Sequence, residues 1–261
     1  MKILFIVLFM VMSAVCLAQA GEFYITRLKY NGGGDWYNDP SAEVNLLNFI
    51  KSNTNIRVKP KYTFVDISTD EIFSHPFLFM TGHGNVVFSK QEAERLRTYL
   101  DNGGFLYIDD DYGFDKALRM EMKKVFPDND FVELPFSHPI YNCFYDFSSG
   151  PPKTHQHDDG TPQGFGIFIN KRLAVYYTVE SNPSDGWADK EVHNNPETHQ
   201  HDDGTPQGFG IFINKRLAVY YTVESNPSDG WADKEVHNNP DKKREEALKF
   251  GTNIVLYALT N

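Results

Sequence analysis

Cysteine is nearly missing from this chain: there are two in 261 residues, Cys16 and Cys143. Cys16 lies in an apolar N-terminal run, so the rest of the chain holds a single thiol, which excludes an intramolecular disulfide. A buried, inert side chain is the expectation for Cys143. Basic residues are also scarce, with 25 Lys and Arg against 35 Asp and Glu, a net charge of −10. That balance argues against nucleic acid or an anionic membrane surface as a main partner. After residue 20 no apolar run approaches the length of a membrane span. A Walker A loop and a G-x-S-x-G turn are absent, which counts against a P-loop nucleotide hydrolase and a serine hydrolase.

What is present begins with a leader pattern. Lys2 precedes an apolar run from Ile3 to Leu17, followed by Ala18-Gln19-Ala20. A positive start, an apolar centre and an A-x-A site make a secretory signal peptide over residues 1–20. Val15 stands before Cys16 where a lipoprotein leader has a small residue, so plain secretion with cleavage before Gly21 is expected. The expected location is the periplasm or the extracellular space. Residues 21–261 then form a single α/β domain with 24 basic and 35 acidic residues, net −11.

The chain is organised around Phe77 to Asp111. Ser89 and Glu92 form an S-x-x-E capping box, Ala93, Leu96 and Leu100 recur at helical spacing, and Asn102-Gly103-Gly104 ends the helix. The flanking runs Phe77–Met80 and Phe105–Ile108 are short and wholly apolar, as strands buried on both faces are. This is a βαβ unit with a right-handed crossover. Around it, strand and helix patterns alternate. Phe23–Tyr30 reads as a strand. Asp39 as N-cap and Pro40 start a helix with Val44, Leu47 and Ile50 on its apolar face. A strand interrupted by Pro60 follows, then a short helix capped by Ser68 and Glu71. Asp115–Phe126 is amphipathic and stops at Pro127, Phe131–Phe136 is another strand, and Asp241 caps a last helix. The pattern implies a three-layer, doubly wound, mostly parallel sheet with a late antiparallel hairpin.

That hairpin occurs twice. Residues 154–196 recur without one change at 198–240, an offset of 44. Solenoid repeats diverge because each copy meets a different neighbour. Two identical copies instead indicate a recent tandem duplication or an assembly artefact. Each carries the same apolar hairpin, Phe165–Ile169 with Leu173–Val179, and Phe209–Ile213 with Leu217–Val223. A single core has one slot for it, and either copy fits.

Polar clusters follow the strands. In open α/β sheets ligands bind beyond the carboxyl ends of the strands, so Gly32–Trp36, Thr81–Gly84, Asp109–Asp111, His138 and Ser184–Trp187 are expected to share one crevice. Gly33, Gly34, Asp35, Trp36, Gly82, His83, Gly84 and His138 are the candidate ligand-binding residues. His83 between two glycines suits acid–base or anion-binding work, or simply holds its loop. His138 before Pro139 also fits an extended turn. Asp109 and Asp111 lie on one side of an extended segment, roughly 7 Å apart. At an effective dielectric near 20 they repel by about 2–3 kcal/mol, which a divalent metal, a basic partner or a raised pKa relieves. His83, Asp109 and Asp111 are therefore the candidate catalytic groups. The same aspartates also fit a solvated turn, with Asp115 capping the next helix. His155 and His157, with Asp109 and Asp111, are candidate metal ligands, although the two histidines also fit a surface loop. Trp36, Trp187 and its copy Trp231 offer stacking surfaces for a sugar, or lids on the core.

The segments RLKYNGGGDWYNDP, FLFMTGHG, E-x-x-x-L-R-x-Y-L-x-x-GGFLYIDDD, VFP and SHPIY together resemble the bacterial domain-of-unknown-function 4159 family. The likeness spans nearly all of residues 21–261, counting one repeat copy. It implies a flavodoxin-like fold similar to class I glutamine amidotransferases, with no assigned activity. Those enzymes carry a cysteine nucleophile on a sharp strand-to-helix turn. The corresponding turn here is Asp110-Asp111-Tyr112-Gly113, without cysteine, so glutamine hydrolysis by that route is not expected. Two functions remain: an exported binding or scaffolding domain for a small polar ligand, glycan or envelope protein, and a His/Asp-dependent, metal-assisted hydrolase or lyase acting on a glycan or peptide.

Overall fold

Phe77–Met80 and Phe105–Ile108 do form the centre of a sheet, and their side chains alternate between two cores. In a computed structural model of the chain, residues 21–129, 131–152, 163–169, 172–179, 207–213, 216–223, 227, 231 and 240–260 are described. The leader pattern, His155, His157, their copies, and Ser184–Trp187 lie outside these residues.

The elements run β1 (Thr26–Lys29), α1 (Ala42–Asn53), β2 (Phe64–Asp66), β3 (Phe77–His83), α2 (Lys90–Asp101), β4 (Phe105–Tyr112), α3 (Asp115–Val125) and β5 (Phe131–Glu133). The first hairpin follows as β6 (Gln163–Ile169) and β7 (Arg172–Val179), the second as β8 (Gln207–Ile213) and β9 (Arg216–Val223), and α4 (Asp241–Thr260) comes last. Strands β2, β1, β3 and β4 lie side by side and parallel. The far edge of β4 takes β7 or β9, also parallel. Counting one hairpin copy, five parallel strands stand in the flavodoxin-like order. β6 and β8 then add antiparallel strands next to β5.

Helices cover both faces. Leu78, Met80, Leu106 and Ile108 pack with Leu96, Leu100, Leu118 and Met122 from α2 and α3. Phe77, Phe79, Phe105 and Tyr107 face Leu47 and Ile50 of α1 and Phe250 and Ile254 of α4. On that second face the rings form a ladder across the strands: Phe77 on Phe105 and Phe79 on Tyr107 at 5.3 Å, and Tyr107 on Tyr220 at 5.2 Å. Such cross-strand aromatic pairs stabilise a sheet beyond the area they bury.

Several boundaries differ from the sequence reading. β1 is four residues long, and Phe23 contributes only an isolated bridge to Val58. α1 begins at Ala42, because Asp39 takes a positive φ of 49° and Ser41 occupies the N-cap. Its buried face uses Leu46 in place of Val44, and includes Glu43. The second predicted strand is regular only at Phe64–Asp66, with Val58 limited to its bridge with Phe23. The turn Asp70–Ser74 starts after Thr69, and Ser68 bonds to Asp66 instead. The α2 capping box is formed as expected: Ser89 Oγ accepts from the Glu92 N–H at 3.2 Å, and Glu92 accepts from the Ser89 N–H at 2.7 Å.

The duplication has a definite structural consequence. Tyr107 is opposite Tyr176 in β7, while Leu106 is opposite Val219 in β9. With an offset of 44 these are the same register. One edge of a strand has one such register, so the two hairpins are alternatives for a single position. The described side chains in that position belong to the second copy: Tyr220, Tyr221, Thr222 and Trp231 are all buried.

Candidate functional site

In a sheet ordered β2-β1-β3-β4, the chain leaves β1 towards one face and β3 towards the other. The loops diverge there and open a crevice at the carboxyl ends of β1 and β3, the place where doubly wound folds bind ligands. Here the crevice holds Asp35, on the loop after β1, and His83, the last residue of β3. Asp35 Oδ1 accepts the His83 backbone N–H at 2.6 Å, and Oδ2 lies 3.0 Å from His83 Nδ1. Both side chains are about one-third exposed, at 32% and 29%. Burial opposes the charge on Asp35, but the hydrogen bonds from His83 outweigh it and hold the pKa below the ordinary carboxylate value. An ionised Asp35 accepts a hydrogen bond from a proton carried on His83 Nδ1 and so fixes which ring nitrogen faces it.

The glycines around this pair are steric requirements. Gly82 has φ 149°, and a Cβ there would collide with the Tyr30 hydroxyl and come within 3.2 Å of Asp35 Oδ1. The Tyr30 hydroxyl in turn donates to the Thr81 carbonyl at 3.1 Å. Gly34 donates its N–H to Asn85 at 2.9 Å, tying the β1 loop to the β3 loop.

A buried arginine shapes the loop that carries Asp35 and Trp36. Arg27 donates to both Glu43 oxygens at 2.7 and 2.8 Å, to the Trp36 carbonyl at 3.3 Å, to the Asp39 carbonyl at 3.2 Å, and to the Asn38 carbonyl. Arg27 and Glu43 have no side-chain exposure. Burial opposes the guanidinium charge, and Glu43, helped by Tyr62 and Asp39, outweighs it, raising the Arg27 pKa. The sequence reading missed this pair. A charged residue in a strand, followed sixteen residues later by one in a helix, was its only trace.

The aspartate run lies on the next strand, with Thr81 opposite Asp109, Gly82 opposite Asp110 and His83 opposite Tyr112. His83, at the end of β3, bonds to Asp35, while Asp109 and Asp110 have partners of their own. Asp109 and Asp110 do not lie in a solvated turn, since they are 0% and 2% exposed. Asp109 accepts from the Thr222 hydroxyl. Asp110 accepts the backbone N–H groups of Phe114 and Asp115, each at 2.9 Å, and the Tyr221 hydroxyl at 3.2 Å. Asp110, not Asp115, thus caps α3, while Asp115 pairs with Arg119 at 2.6 Å. Burial, reinforced by the Asp115 carboxylate, pushes the Asp110 pKa up to about 7. The raised carboxyl is the middle one, which the sequence reading did not single out. The Asp111 side chain lies outside the described set. Among the described residues no three His, Cys, Asp or Glu side chains gather as a metal site.

His138 is not part of this cluster. Its Nδ1 accepts from the Ile140 N–H at 3.3 Å, its ring lies 5.3 Å from that of Tyr257 in the last turn of α4, and burial lowers its pKa to about 3. Cys143 is exposed as a residue, contrary to expectation, yet its thiol donates to the Asn253 carbonyl at 3.3 Å. Burial of the sulfur pushes its pKa up to about 11, so it is a poor nucleophile. The sharp turn from β4 into α3, with Gly113 at φ 69°, carries no cysteine.

The model of the domain of unknown function DUF4159 matches residues 24–203 and 196–259. The chain belongs to this family. Each matched stretch contains one copy of the duplication, so either hairpin satisfies the DUF4159 pattern. No curated protein matches the chain closely enough to serve as a relative. Within this DUF4159 domain, then, the candidate site groups Asp35, His83 and the glycines Gly33, Gly34, Gly82 and Gly84, with Trp36 next to Asp35 in the chain. Among the described residues no helix is long and apolar enough to cross a membrane.

Proposed function

We propose that this DUF4159 domain is a binding module that holds a small polar ligand in the crevice between the ends of β1 and β3. One observation carries the reading. Asp35 is held by two hydrogen bonds from His83 while both side chains still reach solvent. The pair is thus fixed in position and still within reach of a solute. Asp35 presents acceptors, and His83 presents a nitrogen whose role its partner sets. In a thermal-shift panel of neutral oligosaccharides, amino acids and dipeptides, at least one compound should raise the wild-type melting temperature. A ligand at 100 times its Kd adds about 2.7 kcal/mol, a shift of several degrees for a domain of this size. The same compound should leave Asp35→Ala and His83→Ala unmoved. Equal shifts in all three proteins would remove the site from consideration.

The contact between Asp35 and Nδ1 also favours a second reading, a hydrolase or lyase in which His83 acts as the base and Asp35 orients it. Asp109, buried and bonded to the Thr222 hydroxyl, is given no role in this reading. This reading requires turnover of a glycan or peptide that His83→Ala abolishes. Binding without turnover would leave the module reading in place.

We further propose that the domain works outside the cytoplasm, on the strength of Lys2, the apolar run to Leu17 and the A-x-A site. The intact mass of exported protein should correspond to a chain starting at Gly21. A chain that retains residues 1–20 would count against export.

A further inference from the structure

Beside the Asp35–His83 pair, towards the free edge of the sheet, large aromatic rings stand at the surface. Trp36 is half-buried against the α2/α3 core. Its ring centre lies 5.2 Å from that of Phe64 on edge strand β2 and 5.7 Å from that of Tyr37. Phe64 and Tyr37 are 51% and 56% exposed, among the most exposed large apolar side chains described. Lys29 reaches over the Trp36 ring at 5.9 Å and pairs with Asp66 at 3.0 Å. The ridge is therefore aromatic, flanked by the Lys29–Asp66 pair, and Trp36 joins it directly to Asp35 in the chain.

Resting on the binding reading above, we propose that the ligand is a neutral glycan chain, which stacks on Trp36 and Phe64 and is hydrogen-bonded through its hydroxyls by Asp35. Three features select this class. Ring faces at a surface complement the C–H face of a pyranose, whose polar hydroxyls point outward in the ring plane towards the flanking acceptors and donors. Asp35 and Asp66, in a chain of net charge −10, oppose the phosphates of a nucleotide and the carboxylates of an acidic peptide. The ridge also ends at β2, the sheet edge, so it is open along its length and admits a polymer as readily as a single sugar. The Arg27 bonds to the Trp36, Asn38 and Asp39 carbonyls hold the loop in place before ligand arrives. That preorganisation reduces the entropy lost on binding.

Affinity electrophoresis of the full chain in gels containing soluble β-glucan, xylan, mannan or glycol chitin tests the assignment. Wild-type protein should be retarded by at least one of these polysaccharides. Trp36→Ala and Phe64→Ala should each lose at least tenfold in affinity, and Trp36→Phe should recover most of it. Circular dichroism of each variant identifies any that fails to fold, and Tyr37→Ala serves as a second, more exposed probe of the ridge. Retardation that is the same in wild type and the folded ridge variants would overturn the proposal, as would no retardation by any of the four polymers. An amino acid or dipeptide that binds wild type but not Asp35→Ala, with no polysaccharide retarding the protein, would overturn the glycan assignment while leaving the crevice reading intact.

Discussion

At the residue scale, two carboxyl groups near Gly82 are pushed in opposite directions. Asp35 lies below its ordinary pKa, so its contribution to stability is present above about pH 4 and is lost as acid protonates it. Asp110 lies above, at about 7 against 3.8 when unfolded. The fold therefore binds the Asp110 proton more tightly than the unfolded chain does. That contribution is complete below pH 3.8 and disappears as pH rises through about 7. At about 1.4 kcal/mol per unit, the loss across that window amounts to a few kcal/mol. Urea midpoints at pH 5 and pH 8 should differ in wild type, and Asp110→Asn, neutral throughout, should shrink the difference by at least half. An unchanged difference would place the titrating group elsewhere. Gly82 gives a second residue-scale test. Gly82→Ala forces a Cβ against the Tyr30 hydroxyl and should cost about 1–3 kcal/mol. In Tyr30→Phe, which lacks that hydroxyl, the same change should cost less. The double-mutant cycle reads the coupling directly, and additive costs would show that the collision is not the cause.

At the element scale, the Arg27–Glu43 pair joins β1, α1 and the site loop. Replacing one partner leaves the other charge buried, so Arg27→Met should cost about 3–5 kcal/mol in chemical denaturation. Arg27→Lys keeps the charge but cannot span Glu43 and three carbonyls at once, and should still lose a substantial part of that. A loss below 1 kcal/mol in both would refute the role given to the pair. The same elements show what could be read from sequence. The sheet centre was legible because Phe77–Met80 and Phe105–Ile108 are covered on both faces and carry no polar interruption. The α2 cap was legible because a capping box is local. The start of α1 was misread because Asp39-Pro40 has the chemistry of a helix start, while buried Arg27 draws the Asp39 carbonyl elsewhere. Of the site, its location at the strand ends and its glycines were readable from topology and composition. The pairing of Asp35 with His83, 48 residues apart, was not, nor was the burial of Asp109 and Asp110 under a strand more than a hundred residues away. Such pairings depend on which strand lies next to which, and no local period encodes that.

At the scale of the whole molecule, the duplication and the site make separate demands. Two identical hairpins share one register on β4, and Tyr221 and Thr222 bond to Asp110 and Asp109 from the second. Tyr177 and Thr178 hold the matching positions in the first. If the copies exchange, losing one docking mode of two equal ones costs RT ln 2, about 0.4 kcal/mol. Tyr221→Ala and Tyr177→Ala should then be mild singly, whereas the double variant should lose about 3–5 kcal/mol, as expected for a large buried ring. A full loss in Tyr221→Ala alone would confine docking to the second copy. Either outcome leaves the crevice on β1 and β3 unaltered, since no part of the Asp35–His83 pair comes from a hairpin. That pair is the centre of the account, and native mass spectrometry addresses it most directly. Protein incubated with a mixture of neutral oligosaccharides, amino acids and dipeptides should show a one-to-one adduct in wild type that is absent in both Asp35→Ala and His83→Ala. No adduct in wild type, or the same adduct at equal intensity in all three proteins, would contradict it.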